Sequence, residues 1–128
     1  MHRKNFTMYI KSWRTWLFFG YISLVMYLSL IPGDELGWFS KLWKYDKFVH
    51  FAEYLGVGFL LLNMLMIQPM KKIHWKFIIV FLLLFPLLDE LIQYYTPRRI
   101  PDIYDGIFDI CGGFVGLYLR KLMGMKYG

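Results

Sequence analysis

Four apolar stretches, each close to the thickness of a bilayer and each closed by a polar turn, dominate this chain. They cover about residues 14–32, 48–67, 74–93 and 103–120. A helix needs roughly 20 apolar residues to cross the hydrocarbon core, within a range of about 17–25. The first stretch is short unless Trp13 and a snorkelling Arg14 extend it. It ends at Pro32-Gly33, a turn signal, and the second ends before Pro69. Hydrophobic residues make up 58% of the 128-residue chain, aromatic residues 21%, and the mean hydropathy is +0.41. Soluble domains run nearer about 45–50% apolar, so the excess calls for lipid. The expected fold is all-α: one membrane domain over residues 1–128, a bundle of four transmembrane helices.

Several classes are excluded. Disorder requires low hydrophobicity. The lone Cys111 rules out an internal disulfide and a cysteine-based zinc motif. A net charge of +6 suggests nucleic acid only when the basic residues form a continuous patch. Here they fall in clumps between apolar runs, so no nucleic-acid partner is expected. No A-x-A-like site follows the first stretch, which therefore reads as a span and not as a cleaved signal.

Charge sets the topology. Arg3, Lys4, Lys11 and Arg14 precede the first stretch. Lys71, Lys72 and Lys76 separate the second from the third, and Arg120, Lys121 and Lys126 follow the fourth. The positive-inside rule puts these segments in the cytoplasm, giving an N-in, C-in membrane protein with four spans. All nine acids lie at the opposite ends: Asp34, Glu35, Asp46, Glu53, Asp89, Glu90, Asp102, Asp105 and Asp109. The orientation rule does not sort acids, so their clustering has a separate cause. Surface helices are expected near the N-terminus and over residues 36–44, which hold Trp38, Phe39, Leu42 and Trp43.

Three polar clusters flank the outer ends of the later stretches. In the second, Asp46, His50 and Glu53 fall at i, i+4 and i+7, and Lys47, His50 and Tyr54 at i, i+3 and i+7. In the third, Asp89 and Glu90 share a face with Gln93. Pro97-Arg98-Arg99 leads into the fourth, where Asp102, Asp105 and Asp109 form a stripe that continues into Gly112 and Gly116. Asp109 falls about 6 Å below Asp105 at the helical rise. An isolated charge in hydrocarbon costs on the order of 3 kcal/mol or more, so these groups should face one another. Gly112, Gly113 and Gly116 on one helix, and Gly56 and Gly58 on another, permit the close approach this needs.

The order Asp46-Lys47-x-x-His50-Phe51-x-x-Tyr54, Glu90-x-x-Gln93, Pro97-x-Arg99, then Asp105 with Gly112 and Gly116, resembles the VanZ-like family over roughly residues 20 to 120. The resemblance implies a small bacterial membrane protein of the cell envelope, in a family named for a member linked to low-level teicoplanin resistance. The family pattern carries asparagine where this chain has Asp109, and a small residue where it has Asp102. Both departures add negative charge.

His50, Glu90 and Asp105 are the candidate catalytic groups. Lys47, Tyr54, Gln93, Arg99 and Asp109 are the candidate ligand-binding groups. One imidazole among carboxylates suits a divalent cation, acid–base work, or a buried network that locks the bundle. The residues leave all three open, and catalysis with them. Arg99 suits the phosphate of a phospholipid or of a lipid-linked cell-wall precursor, or a salt bridge to a neighbouring acid. Two functions follow: a binding protein of the envelope that influences glycopeptide susceptibility, or a membrane-embedded hydrolase or transferase acting on a lipid phosphate through His50, Glu90, Arg99 and Asp105. Four spans leave little room for a transport path in a monomer. An oligomer is left open, as is any metal.

Overall fold

The computed structural model describes residues 2–30, 46–96 and 103–124. Among the described residues every regular element is helical: α1 (His2–Lys11), α2 (Trp13–Leu30), α3 (Asp46–Leu65), α4 (Lys72–Tyr95) and α5 (Ile103–Leu122). The four long helices match the expected stretches to within about two residues, the ordinary scatter of helix ends. The fifth element, α1, is helical where an N-terminal helix was expected, while residues 36–44 lie outside the described residues.

Ser12 separates α1 from α2. Its N–H donates to the Tyr9 carbonyl at 3.2 Å, and its hydroxyl accepts the Arg14 N–H at 3.3 Å. The Trp16 indole reaches back to donate to the Ile10 carbonyl at 2.6 Å. These bonds satisfy backbone groups that a helix end leaves open, so the chain turns here without stranding them. At the start of α4, the His74 Nδ1 accepts the Lys71 N–H at 2.9 Å.

Glycine sets the central contact. On α5, Gly112 lies on the Phe51 carbonyl of α3 and Gly116 on the Leu55 carbonyl, while Gly58 of α3 lies on the Gly113 carbonyl. A Cβ at any of the three would overlap backbone. The two helices therefore meet main chain to main chain, as the small-residue stripe implies. α2 joins through Tyr21, whose ring fills the space over Gly56 and whose hydroxyl donates to the Glu53 carbonyl at 2.5 Å. α4 adds Ile78, Leu82 and Phe85, with Phe85 stacked on Phe81 at 5.0 Å between ring centroids. Tyr54, Val57, Leu61 and Leu62 of α3 fill the middle.

The core is apolar, but the surface is not that of a soluble bundle. Phe77, Val80, Leu84, Leu87 and Leu91 of α4 are exposed, as are Trp16, Leu24 and Tyr27 of α2. Asp89, Asp105, Asp109, His50 and Arg120 are buried. By length and apolarity alone, one helix among the described residues qualifies as a span, over Lys47–Leu65 with mean hydropathy 1.5. Asp89 and Pro86 of α4, and Asp105 and Asp109 of α5, belong to the same buried faces as the core residues.

Candidate functional site

The α3–α5 contact brings the acidic stripe of α5 against the polar face of α3. Gly112 lies three residues after Asp109, and Phe51 follows His50, so the backbone contact between them holds these two side chains at one level. His50 Nδ1 and Asp109 Oδ1 are 2.8 Å apart. His50 Nε2 stands 3.6 Å from Asp105 Oδ2, so the imidazole lies between two carboxylates one turn apart on α5. Lys47, one turn before His50, reaches Asp105 Oδ1 at 3.4 Å. Its side chain is 42% exposed, whereas that of Asp105 is 3% exposed, so Lys47 covers the outer end of the cluster.

α4 supplies the third wall. Glu90 packs against α5 at Gly106, where a Cβ would meet the Glu90 Cγ at 3.7 Å. Ligand atoms of His50, Glu90 and Asp109 lie within 4.8 Å of one another. Asp109 is fully buried, yet its Oδ2 has no hydrogen-bond partner, and neither does the buried Oε1 of Glu90. An unpartnered buried carboxylate oxygen costs at least about 1–3 kcal/mol. Two such atoms in one cluster are chemically incomplete.

The neighbouring Asp89 differs. Its Oδ2 accepts the Tyr54 hydroxyl at 2.8 Å, and its Oδ1 accepts the Ser29 hydroxyl. Both oxygens are occupied, so Asp89 joins α2, α3 and α4 as a structural node. Thr96, at the end of α4, adds to it by placing its hydroxyl 3.0 Å from the Ser29 carbonyl. Tyr54, expected among the ligand-binding groups, is fully buried and spends its hydroxyl on Asp89. Gln93 is buried one turn beyond Asp89 and Glu90.

Of the expected site residues, the structure gathers Lys47, His50, Glu90, Asp105 and Asp109. It turns Tyr54 toward the Asp89 node. Arg99, together with Arg98 and Asp102, lies outside the described residues. Sequence reasoning missed the part played by Ser29, because a lone serine in an apolar stretch gives no periodic signal. Asp89 was legible only as a companion of Glu90. The arrangement offers two chemistries: a proton shared between His50 and Asp109, or a cation held by His50, Glu90 and Asp109. Nitrogen and carboxylate oxygen donors fit a hard or borderline divalent ion.

The family model described as VanZ/LLP1 matches residues 5–124, nearly the whole chain and every helix that builds this cluster. No curated protein and no solved structure matches the chain.

Proposed function

This chain belongs to the VanZ/LLP1 family, and from that premise we propose that it is a four-span, N-in and C-in protein of the bacterial plasma membrane. It forms one domain whose acidic cluster opens at the extracytoplasmic end and binds a ligand there through a divalent cation. The exposed leucines and phenylalanines of α2 and α4 support the membrane reading, since water disfavours so much apolar surface and lipid does not. Buried charge supports it too: acids within spans are tolerated when they face protein. The concentration of basic residues at the other end favours the stated orientation.

One observation carries the binding site: the two unpartnered oxygens, Asp109 Oδ2 and Glu90 Oε1, beside His50. A divalent cation would satisfy both. Lys47 and Arg99 would then take the anionic part of a phospholipid or a lipid-linked cell-wall precursor, with Gln93 and Asp105 orienting them. The test is Mn²⁺ binding to the detergent-purified protein by isothermal titration. Glu90→Gln keeps the shape of a half-buried side chain, so it should fold. It should bind Mn²⁺ at least about tenfold more weakly, since even groups behind metal ligands contribute that much. Equal affinity in the two proteins would remove the cation from the proposal.

The consequence for the cell is a change in glycopeptide action. Expression in a sensitive Gram-positive host should raise the teicoplanin concentration that stops growth. Unchanged susceptibility with membrane expression confirmed would end that part of the reading. The compact donor set of His50, Glu90 and Asp109 also favours a second reading, a metal-assisted hydrolase of lipid phosphates. Turnover of labelled lipid phosphate by the Mn²⁺-loaded protein, lost in Glu90→Gln, would select it over binding alone.

A further inference from the structure

The opposite end of the bundle holds a second buried polar cluster, of opposite charge. Arg120 continues the buried stripe of α5 one turn beyond Gly116 and is only 7% exposed. Its Nε donates to Asn63 Oδ1 at 3.0 Å and its Nη1 to the Gly124 carbonyl at 3.2 Å. Arg14, at the start of α2, donates from Nη1 to the Asn63 carbonyl at 3.5 Å. Two guanidiniums from different helices thus converge on one residue of α3.

Among the described residues no carboxylate balances them. All nine acids belong to the other end of the sequence pattern, and among the described residues neither arginine takes part in an ion pair. Like charges drawn together out of water repel strongly unless a counter-charge joins them. The same end also holds buried polar atoms without a partner: Arg14 Nε, the Thr15 hydroxyl and the Tyr9 hydroxyl. Nε–H is a donor only, and the two hydroxyls can donate. What the described residues of this end lack is an acceptor carrying negative charge.

We propose that Arg14 and Arg120 form an anion site for a phosphate-class oxyanion, with the Thr15 hydroxyl as a further donor. The guanidinium fork matches the spacing of phosphate oxygens. Phosphate also has enough acceptor oxygens to meet several donors at once, where a chloride ion or a single carboxylate meets fewer. Arg14 stays half-buried beside Trp13, with its charge 5.8 Å from the indole centre, so the site is open to the edge of the bundle. Lys121, held over Trp75 at 5.6 Å, adds positive field at this end. The phosphate can come from an anionic phospholipid headgroup or from solution. This site shares no residue with the acidic cluster, so it stands or falls without the cation reading.

Native mass spectrometry of the full chain released from neutral detergent tests it. The probes are dioleoylphosphatidylglycerol, dioleoylphosphatidylcholine and inorganic phosphate, and the same ligands are run in thermal unfolding. The protein should retain one phosphatidylglycerol and unfold at higher temperature with it. Phosphatidylcholine should be retained less, because its choline cation opposes the guanidinium pair. Arg14→Gln should weaken retention about tenfold or more, the scale of a charge-assisted hydrogen bond. Thr15→Val removes a hydroxyl that has no protein partner, so the lipid-free protein should be at least as stable as before. Its lipid-dependent rise in unfolding temperature should shrink, which a purely structural role for Thr15 would not produce. Displacement of the lipid by inorganic phosphate identifies free oxyanion as a sufficient ligand, and retention of lipid against phosphate identifies the headgroup. Equal retention of phosphatidylglycerol by the unaltered protein, Arg14→Gln and Thr15→Val, or equal retention of the two lipids, overturns the proposal.

Discussion

Replacing Gly116 by alanine is expected to destabilise the protein by about 3 kcal/mol, at the upper end of what overpacking a tight contact costs. The added Cβ falls on the Leu55 carbonyl and close to the Phe59 N, which are main-chain atoms of α3. Neither can rotate away as a side-chain end would. α3 and α5 must therefore separate, and the His50–Asp109 contact on the same seam lengthens with them. Gly20 supplies the control. A Cβ there meets nothing within 4 Å, so Gly20→Ala should stabilise α2 by about 0.5–1 kcal/mol through its better helix propensity. Urea unfolding in detergent, followed by tryptophan fluorescence, reads both. Equal stability of Gly116→Ala and the unaltered protein would show that the helices do not touch main chain to main chain.

The second large effect belongs to His50. His50→Ala leaves the fully buried Asp109 without its only hydrogen-bond partner among the described residues. Removing one member of a buried charged pair costs about 3–5 kcal/mol, because the remaining group keeps its desolvation penalty. Replacing both members, His50→Leu with Asp109→Leu, should return most of that loss, since an apolar pair of similar volume removes both penalties. The double variant should also have lost Mn²⁺ binding while keeping its fold. A single His50→Ala variant as stable as the unaltered protein would mean that His50 and Asp109 do not depend on each other.

Much of this was legible in the residues. The stretch boundaries followed from apolar length and from Pro32-Gly33 and Pro69. The face shared by Asp105, Asp109, Gly112 and Gly116 followed from helical period alone, and that face is buried against α3. Partner choice was harder to read. Tyr54 carries the same i+7 relation to Lys47 that marks the outer polar face, yet its hydroxyl turns to Asp89 on another helix. Period fixes which residues share a face of one helix, but not which atoms across the interface they meet. Arg120 was hidden for a different reason. Counted with Lys121 and Lys126, it reads as a topological charge; only carrying the glycine stripe one further turn shows that it points inward.

The charges of α5 give it a direction. Asp105 stands in its first turn, and Arg120 and Lys121 in its last. Carboxylates thus sit at the partially positive end of the helix and cations at the partially negative end, each worth about 0.3–1 kcal/mol where exposed. Turned end for end, the helix would keep this match, because its dipole turns with it. It would, however, carry the arginine to His50 and strand the aspartates beside Asn63. As the bundle assembles, α5 therefore has one orientation that its neighbours can accept, and a helix packed upside down would find no site prepared for either end.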